Sequence, residues 1–233
     1  MTSKKPILYL TGMWFLKEIW LKWAIETTKA GHQTYSMDFC NNGSPPIQQY
    51  INNAIKACLR IKEETGSLPI IFGWSMGGLV AQVVASKLEI PKLVLVCSAA
   101  PRGIANTSWP MTKRIRPYLS AILFNGSFRP SKQHALEIVC NNCPEELSSH
   151  ELQLVSGKIA RQILLGNISV DASDINCPCL VIAGSRDRIL PLHIQQQLKQ
   201  KYDAKIIIGP YGHTPMLEDS NGKLIKRILN WLD

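Results

Sequence analysis

Residues 69–80, Pro-Ile-Ile-Phe-Gly-Trp-Ser-Met-Gly-Gly-Leu-Val, restrict the fold of this chain more than any other stretch. An apolar, β-prone run from Pro69 to Phe72 meets Gly73-Trp74-Ser75-Met76-Gly77, and small helix-compatible residues follow. A serine held in a strained backbone between strand and helix needs neighbours without a Cβ, because the turn brings both flanks against it. Gly73 and Gly77 supply them, and Gly78 lets the following helix pack closely. Without strand and helix, a serine among glycines marks only a loop. With both readable, the Gly-x-Ser-x-Gly spacing predicts Ser75 Oγ at the carboxyl edge of a sheet, beside the positive end of a helix.

Six short apolar runs have the character of buried parallel strands: Ile7–Thr11, Gln33–Met37, Ile70–Trp74, Lys92–Cys97, Cys179–Ala183 and Lys205–Ile208. Helical patterns lie between them, over Leu16–Ala30, Ile47–Glu64, Met76–Leu88, Leu192–Lys201 and Ser220–Leu232, the last opened by Asp219 or Ser220 as cap. This alternation predicts an α/β fold, a six-stranded, mostly parallel sheet with helices on both faces. Five prolines and four helical patterns (Met111–Leu123, Lys132–Asn141, Glu145–Leu154, Lys158–Leu165) break it between Ala100 and Val170. The expected organisation is a core domain of residues 1–100 and 171–233 with a helical cap insertion at 101–170. Ligands in open α/β sheets sit outside the strands' carboxyl ends, so such an insertion covers the site.

A serine nucleophile needs a base, and the base needs an orienting carboxylate. The fifth run ends in Gly184-Ser-Arg-Asp187, which places Asp187 on a turn at a carboxyl end. The sixth ends in Tyr211-Gly-His213, and among five histidines only His213 follows a strand end at the close of the chain. Asp171 and Asp174 precede the fifth strand and so fall at the opposite end of the sheet, while Glu218 and Asp219 compete only as helix-capping groups. Ser75, Asp187 and His213 are therefore the expected catalytic residues. The oxyanion hole is assigned to the Met76 N–H and to the Met13 N–H, with Gly12 allowing the chain to turn beneath the site.

Five segments carry a resemblance to the α/β-hydrolase superfamily over nearly the whole chain. They are Ile7-Leu-Tyr-Leu-Thr-Gly-Met-Trp, Gly73-Trp-Ser-Met-Gly-Gly, Leu93-Val-Leu-Val-Cys-Ser-Ala-Ala-Pro-Arg-Gly, Val181-Ile-Ala-Gly-Ser-Arg-Asp and Tyr211-Gly-His-Thr-Pro-Met-Leu-Glu. The resemblance implies a Ser–Asp–His triad and one of several activities: esterase, lipase, lactonase, thioesterase, or a relative that cyclises or cleaves without hydrolysis. Members usually carry His-Gly where this chain has Thr11-Gly12, and a Gly-His-Gly-x-Ser segment where it has Cys40-Asn-Asn-Gly-Ser44. The usual opening hairpin has no room before a first strand at about residue 6, which implies a trimmed sheet.

Met13, Trp14, Met76, Leu190 and Met216 predict an apolar acyl or alcohol pocket. Trp14 and Phe15 beside the oxyanion loop, and Trp74 beside the nucleophile, are further pocket candidates, with core packing the alternative. Trp20 and Trp23 at helical spacing are read as core. Arg186 and Arg188 flank Asp187 and are read as solvated turn residues, with a clamp for a substrate carboxylate the alternative.

The 26 basic and 17 acidic residues give a net charge of +9, with no run longer than a pair. No basic stripe with interleaved aromatics is present, which argues against nucleic acid. An acidic partner, such as an acyl carrier protein or a coenzyme A phosphate, is compatible with 101–170, where eight basic residues face four acidic ones. No run approaches a membrane span or a signal-peptide core, and seven cysteines read as reduced thiols, so the expected location is cytoplasmic. Cys140-Asn-Asn-Cys143 and Cys177-Pro-Cys179 have metal-like spacing but belong to opposite ends of the sheet, and are read as ordinary thiols. No metal or organic cofactor is expected. The leading expectation is a serine hydrolase of carboxylic esters or lactones with an apolar part. The alternatives are a thioesterase or acyl-transferring cyclase on a coenzyme A- or carrier-bound chain, and a non-hydrolytic, ligand-binding protein on the same scaffold.

Overall fold

The computed structural model describes residues 4–39, 46–139 and 151–233. Its sheet has six strands in the spatial order β2-β1-β3-β4-β7-β8: β1 (Ile7–Leu10), β2 (Thr34–Met37), β3 (Ile70–Trp74), β4 (Leu93–Val96), β7 (Cys179–Gly184) and β8 (Lys205–Gly209). Every pairing is parallel. The four inner strands read Ile-Leu-Tyr-Leu, Ile-Ile-Phe-Gly-Trp, Leu-Val-Leu-Val and Cys-Leu-Val-Ile-Ala-Gly, and all of their residues are buried. Apolar side chains on both faces are what a sheet covered on both sides requires. The edge strands β2 and β8 are partly exposed and carry polar residues. The α/β fold with six strands agrees with the sequence expectation to within one residue at every strand end.

The helices of the sheet are α1 (Leu21–Lys29), α2 (Ile47–Thr65), α3 (Met76–Ala85), α8 (Leu192–Lys201) and α10 (Lys223–Leu232). The first departs from its expected span, because Lys17–Trp20 forms a turn of 3-10 helix ahead of α1. At the last, Gly222 occupies the cap position with φ 64° and offers no side chain. Asp219 nonetheless supplies the cap from further back, its carboxylate accepting from Leu224 N–H and Ile225 N–H at 3.0 Å each. A short α9 (Pro215–Glu218) precedes it.

Between β4 and β7 the chain passes through α4 (Trp109–Ile115), α5 (Leu119–Leu123), α6 (Lys132–Val139) and α7 (Gly157–Leu164). It also forms an antiparallel pair, β5 (Ser127–Phe128) with β6 (Val155–Ser156), which no sequence pattern announced. Two-residue strands are too short to show alternation. Residues 151–154 of the expected helix Glu145–Leu154 are not helical. The remainder of that helix, Cys140 and Cys143, and the Cys40–Ser44 segment lie outside the described residues.

The chain runs outward from β1 to β2 and then returns to the other side of β1 as β3. That reversal opens a crevice between the carboxyl ends of β1 and β3, where α/β sheets bind ligands. The tight turn after β3 depends on close approach. A Cβ on Gly77 would fall inside the van der Waals radii of the Leu10 and Thr11 carbonyl groups, and one on Gly78 would overlap Ser98 Oγ. Gly77→Ala is therefore expected to destabilise the protein by about 2 kcal/mol or more, since backbone at a strand end cannot step aside cheaply. A denaturation midpoint equal to that of the wild type counts against this packing.

Candidate active site

Five strand ends converge on one place: Thr11–Trp14 after β1, Ser75 after β3, Cys97 after β4, Asp187 after β7 and His213 after β8. Ser75 has φ 55° and ψ −122°, a left-handed conformation that a non-glycine residue adopts at a cost of roughly 1–3 kcal/mol. Its N–H donates to Val96 O at 3.1 Å, and its carbonyl accepts from Gly78 N–H and Ala99 N–H at 3.0 and 2.9 Å. These bonds hold the strained turn and leave the side chain beside the first turn of α3.

The three expected catalytic residues are brought together. Ser75 Oγ lies 2.9 Å from His213 Nε2, and His213 Nδ1 lies 2.8 Å from Asp187 Oδ2. The other Asp187 oxygen accepts from Ile189 N–H at 2.8 Å and Leu190 N–H at 3.0 Å, so both carboxylate oxygens are engaged. All three residues are buried, Ser75 being the most accessible at 8%. A buried, acceptor-only carboxylate opposite Nδ1 selects the tautomer with the proton on Nδ1, which leaves Nε2 free to accept from the serine hydroxyl. Asp171 and Asp174 sit at a turn of 3-10 helix (Ala172–Asp174) before β7, away from the site. Arg186 and Arg188 are exposed.

Among the described residues, neither the Met13 nor the Met76 amide donates to a backbone carbonyl. Met76 opens α3, so its N–H belongs to the unsatisfied first turn of a helix. The turn after β1 has one unusual backbone angle. The positive φ falls on Trp14 (70°), not on Gly12. Gly12 is needed for another reason, since a Cβ there would stand 2.9 Å from Trp74 Cε3 and 3.0 Å from Ser75 Cβ. Thr11, in the position where histidine was expected by resemblance, anchors this turn: its buried hydroxyl donates to Met37 O at the end of β2 at 2.8 Å.

An apolar cavity of about 50 Å³ adjoins Ser75, with Met13, Trp14, Met76 and Leu190 in its walls. Met111, Ile115, Ile122, Phe128 and Ile163 close it from the segment between β4 and β7. Three of the expected pocket residues are elsewhere. Phe15 is buried edge-on against Trp74, with ring centroids 5.3 Å apart, and Met216 is fully buried in α9. Trp74 is itself core. Its indole Nε1–H donates to His213 O at 2.6 Å and its ring lies 5.5 Å from the imidazole, so it holds that ring in place.

Two further groups stand close to the imidazole; both lie in segments that carry the resemblance, but no role beside His213 was read for either. Glu218 accepts from Gly212 N–H at 2.9 Å and from Thr214 Oγ1 at 3.3 Å, bracketing His213 on both sides. Cys97, at φ 42°, places its Sγ within 4.8 Å of the facing atoms of Asp187 and His213. Burial and the neighbouring Asp187 carboxylate push its thiol pKa well up, so it stands protonated beneath the pair. Only the strand-end rule could have found Cys97, since it occupies the same level of the sheet as Ser75 and Asp187. Cys177 and Cys179 lie at the amino end of β7, at the other end of the strand from Asp187.

The sequence profile of the alpha/beta hydrolase family matches residues 7–226. A pimeloyl-[acyl-carrier protein] methyl ester esterase of Xylella fastidiosa is 23% identical, with 94% of this chain and 92% of that protein covered. One from Chromobacterium violaceum is 26% identical over 63% of each chain. The solved structure of the monoacylglycerol lipase of Paleococcus ferrophilus superposes with a TM-score of 0.73 at 19% identity, covering 98% of this chain and 95% of that one, and so speaks for the fold alone.

Proposed function

This chain belongs to the alpha/beta hydrolase family, and we propose that within it the protein is a serine esterase acting on carboxylic esters with a small apolar acyl or alcohol part. The observation that carries this reading is the hydrogen-bonded line from Ser75 Oγ through His213 to Asp187. In the proposed reaction His213 Nε2 takes the hydroxyl proton as Ser75 Oγ bonds to the ester carbonyl carbon. The negative charge that develops on the carbonyl oxygen is received by the Met76 and Met13 amides, aided by the positive end of α3. His213 returns the proton to the departing alcohol, leaving an acyl-enzyme, and a water activated by the same nitrogen releases the acid. Residues 101–170 act as a cap, a reading supported by the side chains they contribute to the cavity beside Ser75.

A second reading concerns what carries the acyl group. Both curated relatives are named for a methyl ester on an acyl carrier protein. Residues 101–170 hold eight basic and four acidic residues, a balance suited to an acidic carrier. A panel of free short-chain esters, carrier-bound methyl esters and carrier thioesters, scored by kcat/KM, tests both readings. The esterase reading expects turnover of esters and little of thioesters. The carrier reading expects carrier-bound esters to be favoured and that advantage to shrink as salt is raised. A panel with no turnover at all sinks both.

A further inference from the structure

The helices α5 and α7 are apolar on two sides. Their inner residues Ile122 and Ile163 wall the cavity beside Ser75. Their outer residues face water: Leu123 is 58% exposed, Phe124 83% and Leu165 66%. A single exposed leucine carries no meaning, since folded proteins show many. These three are neighbours. Arg161 of α7 donates from Nη1 to Leu123 O at 3.0 Å, and Leu165 follows Arg161 by one helical turn, its N–H donating to Arg161 O at 2.9 Å. Phe124 comes next to Leu123, at the turn into β5 where Asn125 has φ 58°.

The patch is fringed by positive charge. Lys158 is exposed on α7, three residues before Arg161 and so on the same side of the helix. Arg102 is exposed beyond Leu165, its Nε donating to Gly166 O at 3.3 Å. Among the described residues, Lys158, Arg161 and Arg102 form no ion pair. Nor does the chain place an acidic residue anywhere in 101–132 or 152–170, the segments that build this face.

We infer that the outer face of α5 and α7 docks on an anionic lipid surface, with Leu123, Phe124 and Leu165 entering the headgroup boundary and Lys158, Arg161 and Arg102 meeting lipid phosphates. Protruding apolar side chains fringed by cations are the combination that such a surface holds. An acidic protein satisfies the cations alone and leaves Phe124 and Leu165 against polar groups. An anionic bilayer offers negative charge at its surface and hydrocarbon just below. The cavity beside Ser75 then lies about one helix diameter, roughly 10 Å, from the lipid. The docking itself does not rest on the esterase reading. The substrate class does: an apolar ester dissolved in the lipid.

Co-sedimentation with vesicles tests the docking. The wild-type protein is expected to partition onto phosphatidylcholine vesicles containing about 30% phosphatidylglycerol, more weakly onto pure phosphatidylcholine, and to come off the anionic ones as salt is raised. Phe124→Ser with Leu165→Ser is expected to weaken partitioning about tenfold or more. Lys158→Gln is expected to weaken it about fivefold on the anionic vesicles and not on the neutral ones. None of these side chains lines the cavity, so turnover of a water-soluble ester should stay within about twofold of wild type. Should the double variant fail to fold, the wild-type salt series and Lys158→Gln decide.

Wild-type protein that stays in the supernatant, or that binds neutral and anionic vesicles equally, overturns the inference. So does a folded double variant that binds like wild type. Binding of an acyl carrier protein without binding of vesicles gives the face to an acidic protein and overturns it too. A dimer that the double variant breaks, again without vesicle binding, gives the face to a second copy with the same consequence. Vesicle binding by a protein that hydrolyses no ester sinks the esterase reading and leaves the docking surface standing.

Discussion

Ser75→Ala is expected to lose ester hydrolysis by about 10⁶-fold and to lose labelling by a fluorophosphonate altogether. The proposed nucleophile contributes one atom, Oγ, and its described side-chain hydrogen bond is the 2.9 Å contact to His213. Removing that atom leaves the turn intact, because the strained φ of 55° is held by backbone bonds to Val96, Gly78 and Ala99. The change in folding stability is accordingly expected to stay within about 1 kcal/mol. A folded but unreactive variant separates a chemical role from a structural one. Equal labelling of wild type and variant would falsify the assignment of Ser75.

The second large effect is expected at the carboxylate. Asp187→Asn conserves shape and burial yet should reduce kcat by about 10⁴-fold. The loss follows from the two backbone amides that Asp187 already serves. Ile189 N–H and Leu190 N–H both point at Oδ1, so an asparagine must keep its carbonyl oxygen there. Its NH₂ then faces His213 Nδ1, which can only accept, and the ring proton moves to Nε2. An Nε2 that carries a proton donates towards Ser75 Oγ and can no longer remove its hydrogen. Slow fluorophosphonate labelling with an unchanged thermal midpoint is the expected signature. An asparagine variant within tenfold of wild type would show that Asp187 does not set the tautomer.

The two kinds of residue in this site differ in how far they could be read from the chain. Ser75, Asp187 and His213 each follow an apolar run that reads as a strand, buried in β3 and β7 and at the sheet's edge in β8, so their level in the sheet comes from local pattern. Asp187 could be preferred to Asp171 and Asp174 because the same pattern tells which end of β7 each occupies. The main spans of α2 and α8 were legible for a similar reason, periodic apolar faces bounded by turn residues. The β5–β6 pair, with two residues per strand, was not. Trp74, Phe15 and Met216 resembled pocket residues by nearness in sequence to Ser75, Met13 and His213. Nearness in sequence does not say which way a side chain points.

The amino-acid sequence alone determines the parallel sheet, the tight turn at Gly73–Gly78 and the order in which the serine, carboxylate and imidazole reach one edge of that sheet. These follow from local rules: apolar runs form buried strands, a helix follows a turn, and glycine stands where backbone approaches backbone. Only the tertiary structure decided which groups surround the imidazole and the cavity. Trp74 reaches the carbonyl of His213, 139 residues later, and the wall beside Ser75 is shared between Trp14 and segments beginning at Met111. Such contacts depend on how separate elements pack, and packing fills volume according to side-chain direction rather than residue spacing.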